Sequence, residues 1–201
     1  MRRRQPLPRL WLMTDERQGG RLWDALARLP RGAGVVFRHY RLAPAERRRL
    51  YERVRAVARA RSLVLVLAGP PCAAIAWRAD GAHGHSPHRT APRALLRTAP
   101  AHNVRDLVAG RRRGAVLLFL SPVFPTRSHP GAAVLGPVRF GGLANRAGGA
   151  IIALGGMTPS RGRRLAALGA HGWAAIDAWD SDSRRDSDST RGRRARAAVR
   201  T

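Results

Sequence analysis

Ala-Val-Leu-Leu-Phe-Leu-Ser-Pro-Val-Phe-Pro-Thr-Arg-Ser at residues 115–128, followed by Ala-Ile-Ile-Ala-Leu-Gly-Gly-Met at 150–157, decides how this chain folds. Each stretch is a short apolar run that stops abruptly at polar or backbone-permissive residues. A strand buried on both faces of a parallel sheet reads this way, and it delivers the loop that follows it to a binding site. Working outward, similar runs occupy 10–14, 34–38, 62–67, 80–83, 98–102 and 171–176, which with 115–121 and 150–154 gives eight strands. Helical patterns fall between them. Leu50, Val54 and Val57 share one face of 44–60, and Val104, Leu107 and Val108 share one face of 104–112. A further helix starts at Thr158 as N-cap, with Pro159 in the first helical position and Gly169 closing the segment.

Strands that alternate with helices pair in parallel through right-handed crossovers. Eight such units favour a small (β/α)8 TIM barrel over an open doubly wound sheet. The units fill roughly 170 residues, short for a barrel, so several helices or loops must be brief. Residues 84–97, rich in Gly, His, Pro and Arg, show the least helical pattern. From 180 to 201 the chain is a mixed-charge, low-complexity tail with almost nothing to bury, which reads as a disordered C-terminal appendage to one barrel domain at 1–179.

Composition narrows the function. The 201 residues carry 44% hydrophobic residues, enough for one sizeable core, and a formal charge of +26. All 38 basic residues are arginine, spread along the chain instead of gathered with stacking aromatics, so the charge reads more as compositional drift than as a nucleic-acid surface. Without lysine, Schiff-base aldolase chemistry is excluded. Cys72 is the only cysteine; it permits no internal disulfide, fits a reducing cytoplasm, and reads as a small core residue. No apolar stretch is long enough to span a bilayer, and the arginine-rich start is a poor secretory signal, so a soluble cytoplasmic protein is expected.

In a barrel, the groups arriving at the strand C-terminal ends are Asp15, Arg38, Gly69, His83, His102, Ser121 to Ser128, Gly155, Gly156 and Asp177. Gly155 and Gly156 sit at the end of the seventh strand just before a helix, where bare N–H groups can approach a phosphate. His39, His83, His85 and His102 are candidates to face the mouth and transfer protons. His83 and His85, with His88 close by, also permit a Zn2+ or Fe2+ reading, against the plainer one of a histidine-rich turn without a carboxylate.

These segments carry a resemblance that spans almost the whole chain. Leu-Trp-Leu-Met-Thr-Asp (10–15), Val-Val-Phe-Arg (35–38), Ala-Asp-Gly-Ala-His (79–83), Ala-His-Asn (101–103), Ser-Pro-Val-Phe-Pro-Thr-Arg-Ser (121–128), Ile-Ala-Leu-Gly-Gly-Met-Thr-Pro (152–159) and Gly-Ala-His-Gly-Trp-Ala (169–174) together resemble the thiamine-phosphate synthase and thiazole tautomerase family. The resemblance implies a (β/α)8 transferase of thiamine biosynthesis that couples a pyrimidine methyl diphosphate to a thiazole phosphate and releases diphosphate, with Mg2+ on the departing group. By the same resemblance Arg38 matches a diphosphate-binding arginine and His83 a family position, the two catalytic candidates. Thr126 and Ser128 match a Thr-x-Thr segment that contacts the thiazole, and Gly155 and Gly156 match phosphate-binding glycines.

The departures are equally specific. The family's metal-binding aspartates fall on Gly69 and near His88, and its lysines fall on Tyr40 and His129. Asp177 stands where the family has a small hydroxyl residue, and the tautomerase histidine aligns with Pro122. The usual Mg2+ ligands are therefore missing, and no metal-binding residue is assigned. Three readings follow: a synthase using phosphorylated small molecules, a diverged member that binds or isomerises a thiazole phosphate without the transfer, and a basic nucleic-acid-interacting module. The synthase reading leads because the 121–128 segment is of that kind.

Overall fold

In the computed structural model, residues 6–85, 95–128 and 131–179 are described. The expected tail at 180–201, and His88 and His129, lie outside them. Eight strands close a parallel barrel in sequence order: β1 Leu10–Met13, β2 Gly34–Phe37, β3 Val64–Ala68, β4 Gly81–His83, β5 Leu96–Ala101, β6 Leu117–Leu120, β7 Ala150–Leu154 and β8 Gly172–Ala175. The expected (β/α)8 architecture is the observed one. Among the described residues, six α-helices lie between strands: α1 Arg21–Arg28, α2 Pro44–Ala60, α3 Pro71–Ala76, α4 Val104–Arg112, α5 Gly136–Arg146 and α6 Pro159–Ala166.

Side chains alternate across each strand and so feed two kinds of core. Trp11, Met13, Val36, Val66, Leu117, Phe119 and Ile152 fill the barrel interior. Outside, β1–β4 with α1 to α3 bury one cluster around Phe37, Tyr51 and Leu67, and β5–β8 with α4 to α6 bury a second around Leu118, Phe140 and Ile151. Leu10 and Trp179 pack on both outer clusters, closing the seam between β8 and β1. The interior is tight. Trp11 meets Phe119 edge to face at 5.2 Å, and a methyl group on Gly34 would lie 2.2 Å from the Trp11 ring. Overpacking of that kind costs about 1–3 kcal/mol, which is why the strand beside Trp11 begins with glycine.

Two sequence expectations are corrected. Val104 and Val108 do not join Leu107 on the buried face of α4: they are 52% and 44% exposed. The helix instead buries Leu107 and Gly110, one turn apart, and Gly110 lets it sit so close that a Cβ there would be 2.6 Å from Leu118. Cys72 is exposed and not in the core, because α3 turns Pro71 and Ala74 inward, packs Ala73 partly against the core and leaves position 72 facing out. Among the described residues, no helix is long and apolar enough to cross a membrane.

Candidate functional site at the barrel mouth

Every strand is parallel, so all eight C-terminal ends open on one rim, and the sequence-derived residues converge there. Where β1 ends, Thr14 is fully buried and Asp15 caps a single 3-10 turn at Glu16–Gln18. The Asp15 N–H donates to Gln18 Oε1 at 2.9 Å, and Gln18 in turn donates to Ile176 O at the end of β8, fixing the aspartate's backbone. Arg38 follows β2 and points the same way. Its backbone N–H donates to Thr14 Oγ1 at 3.0 Å, its Nε to Thr14 O at 2.7 Å and its Nη2 to Asp15 Oδ2 at 2.7 Å. Two hydrogen bonds thus hold this guanidinium, and a third its backbone, before any ligand arrives.

Asp15 uses its other oxygen, Oδ1, to accept from Arg17 Nε at 2.7 Å. Burial works to raise the Asp15 carboxyl, but the hydrogen bonds from Arg17 and the charges of Arg38 and Arg17 outweigh it and hold it below the ordinary carboxylate range. Arg17 Nη2 reaches further and donates to Ser128 Oγ at 3.0 Å, on the loop after β6. A single chain of contacts, Arg38–Asp15–Arg17–Ser128, therefore links two of the sequence-derived sites across the mouth.

His83 ends β4 in a different environment. It is 6% exposed, meets Phe119 edge-on at 5.1 Å and places Nδ1 2.8 Å from Thr98 Oγ1. Thr98 donates weakly to Ala82 O at 3.5 Å, so an Nδ1–H tautomer satisfies both groups and leaves the Nε2 lone pair unspent. Burial, reinforced by the charges of Arg38 and His85, pushes the imidazole down to about 3. His83 is a neutral base at physiological pH.

The other histidines divide. His39 is 5% exposed, stacked on Phe37 at 4.9 Å with Nδ1 2.9 Å from Thr14 Oγ1, so it braces the rim from behind instead of facing a ligand. His102 places Nδ1 2.7 Å from Ser121 O, and His85 is exposed.

On the opposite rim the site is made of backbone. Val123 N–H donates to Leu154 O at 2.9 Å and Phe124 N–H to Gly155 O at 3.2 Å, so the loop after β6 lies along the end of β7. Gly155 and Gly156 take φ values of +97° and +59°, in the region glycine adopts without strain. Their missing side chains leave room for that loop: a Cβ on Gly156 would stand 2.4 Å from Pro125 O, and one on Gly155 2.9 Å from Pro122 Cα. Arg161 donates to Gly156 O while its guanidinium covers the Phe124 ring at 4.4 Å, clamping loop and glycines together. Thr126 Oγ1 accepts from Ser128 N–H at 3.4 Å. Asp177, just after β8, pairs with Arg127 of the β6 loop at 3.3 Å, which offsets its negative charge.

The described residues at this rim do not fit Mg2+. A hard cation wants several oxygen ligands, with carboxylates among them. Gly69 offers none, and the space a side chain would fill there is open for 4 Å. Asp15, a carboxylate on this rim, has both oxygens engaged by guanidinium groups. Among the described residues, no three His, Cys, Asp or Glu side chains gather to hold a metal ion. Tyr40, in place of a family lysine, is 63% exposed.

One residue here escaped the sequence reading. Arg47, in the first turn of α2, donates Nε to Arg38 O at 3.0 Å and Nη2 to Ala68 O at 2.9 Å, tying the ends of β2 and β3 together. In the sequence it is one arginine of the run 47–49 on a basic helix, and nothing in that run distinguishes it.

A closed (β/α)8 barrel whose polar side chains and loop glycines meet at one mouth defines the broad class, which supports many unrelated chemistries. The chain belongs to the thiamine monophosphate synthase family, whose profile matches residues 11–179. It is 28% identical over 181 residues to the Aquifex aeolicus (strain VF5) protein named "Putative thiamine-phosphate synthase 2", spanning 85% of this chain and 96% of that one. Among solved structures, thiamine phosphate pyrophosphorylase from Pyrococcus furiosus superposes with a TM-score of 0.71 at 22% identity, over 88% of this chain and 90% of the other. The Bacteroides thetaiotaomicron thiamine phosphate pyrophosphorylase gives 0.54 at 15% identity, over 85% and 83%. FabK from Thermotoga maritima gives 0.63 at 15% identity, over 86% of this chain and 59% of that one. At such identities the superpositions speak for the fold, and the family rests on the sequence profile.

Proposed function

We propose that the chain is a transferase of the thiamine-phosphate synthase type, joining a pyrimidine methyl diphosphate to a thiazole phosphate with release of diphosphate. The observation that carries this reading is the contact chain Arg38–Asp15–Arg17–Ser128, which puts the candidate diphosphate arginine within one linked network of the candidate thiazole loop. A two-substrate condensation needs that adjacency, since holding both partners in line removes much of the entropic barrier. In the reaction the bond from the methylene carbon to the diphosphate oxygen breaks, the diphosphate leaves with the electron pair, and the thiazole ring nitrogen supplies the new pair to that carbon. Arg38, already oriented by Thr14, meets the charge that grows on the leaving oxygens without reorganising. His83, neutral and largely sheltered, presents a lone pair toward a cationic methylene without adding a competing positive charge. Gly155 and Gly156 offer backbone N–H groups to the thiazole phosphate, with Thr126 and Ser128 lining the same ligand.

Gly69 favours a second reading, in which the barrel binds or isomerises a thiazole phosphate and no longer performs the transfer, because the carboxylate position of the usual diphosphate machinery is bare. Incubating the purified protein with both precursors separates the two. Thiamine phosphate and an equal amount of diphosphate are expected under the first; saturable thiazole phosphate binding with no diphosphate released overturns it in favour of the second.

A further inference from the structure

We propose that this chain holds the diphosphate group without a metal ion, Arg47 serving beside Arg38 as the second fixed positive charge at the rim between β2 and β3. This deepens the synthase reading and rests on it. Arg47 donates to the carbonyl of Ala68, the residue immediately before Gly69, so a guanidinium stands next to the position that carries no carboxylate. Its plane is set by the two carbonyl acceptors and by three rings: Trp77 at 5.3 Å, and Phe37 and Tyr40 each at 5.7 Å. Two N–H groups are spent on those carbonyls; the remainder, on a half-buried side chain, are available to an anion. The charges of Arg38 and Arg47 both bear on His39 and on Tyr40, which locates the two guanidiniums around the same small region of the rim. The carboxylates that bear on that region are already engaged, Asp15 by the Arg17 and Arg38 guanidiniums and Glu16 Oε1 by the Arg41 N–H, whereas arginine brings positive charge permanently and matches phosphate oxygens with a planar fork.

Calorimetric titration of the full chain with inorganic diphosphate, in EDTA and then in excess Mg2+, tests this. The expected result is saturable binding in EDTA whose affinity Mg2+ does not improve, after correction for diphosphate complexed by the metal. Arg47→Ala weakens it about tenfold or more, and Arg59→Ala, exposed in the last turn of the same helix, leaves it within about twofold. Should Arg47→Ala fail to fold, as judged by its thermal melt, the wild-type comparison in EDTA and Mg2+ still decides. Binding that appears only with Mg2+, or an Arg47→Ala loss no greater than that of Arg59→Ala, overturns the proposal. Thiamine phosphate formed only when Mg2+ is present rejects metal independence but keeps the synthase reading; neither diphosphate binding nor product formation rejects both.

Discussion

The two sides of the mouth are built by opposite means. Around β1 and β2 the polar groups are side chains on rigid strand ends: Thr14, Asp15 and Arg38 interlock at 2.7–3.0 Å, and Arg47 braces them from α2. Around β6 and β7 the polar groups are backbone, shaped by Gly155 and Gly156 and by the loop that lies over them. A side-chain site can lose or exchange a charge by single substitutions while the barrel stays intact. A backbone site has little to mutate except the glycines that permit its shape. Along the sequence the departures fall on side-chain positions of both rims, at Gly69, Tyr40 and Asp177, and at His129 outside the described residues, while the Pro-Val-Phe-Pro-Thr and Gly-Gly segments that shape the backbone match the family.

The contrast can be broken at several points. The largest effect is expected for Arg38→Ala, which removes a pre-oriented cation: thiamine phosphate formation should fall by about 10²–10³-fold while the melting temperature changes little. Unchanged turnover would remove Arg38 from the site. Acidification probes the sheltered interior. Unfolded His83 takes up a proton below its ordinary value of 6.5, whereas the folded imidazole stays neutral until about 3. Between those values the unfolded chain binds the extra proton, so stability falls as pH falls, by up to about 1.4 kcal/mol per unit. His83→Gln, which keeps a hydrogen-bonding group toward Thr98 but does not titrate, should flatten that slope in denaturant titrations.

Gly156→Ala tests the backbone side. A methyl group 2.4 Å from Pro125 O at a φ of +59° must displace the loop, costing about 1–3 kcal/mol in urea unfolding and weakening thiazole phosphate binding. The smallest effect, and of opposite sign, is expected for Gly142→Ala in α5, where a Cβ meets nothing within 4 Å: about 0.5–1 kcal/mol of added stability and unchanged turnover. If both glycine variants behaved alike, the backbone account of the β6–β7 rim would fail.

What was legible in the sequence follows from the kind of signal involved. Buried parallel strands announce themselves as apolar runs, and each of the eight was placed to within about two residues, with 150–154 matching at both ends. The helix at 158 was equally clear from its start, where the Thr158 side chain accepts from the Arg161 N–H, and α2 and α4 were found from their apolar spacing, although Val104 and Val108 of α4 face solvent. Helices α1, α3 and α5 were not. None of these three has a side-chain cap, α3 is six residues long, and α5 carries glycines in its interior. At the site, residues at strand ends could be read because register alone sets their direction. Arg47 and the Arg17–Ser128 contact could not, since both depend on how a long side chain crosses from one element to another, which no spacing rule encodes.

Asp15 gives the mouth a property that the overall charge of +26 would not suggest. Its two oxygens already occupy Arg17 and Arg38, so any solute that wants those guanidiniums enters a contest with a resident carboxylate that cannot diffuse away. Under the proposed function, a diphosphate that draws on both guanidiniums must displace Asp15, and Arg17 is also the residue that holds Ser128 on the far loop.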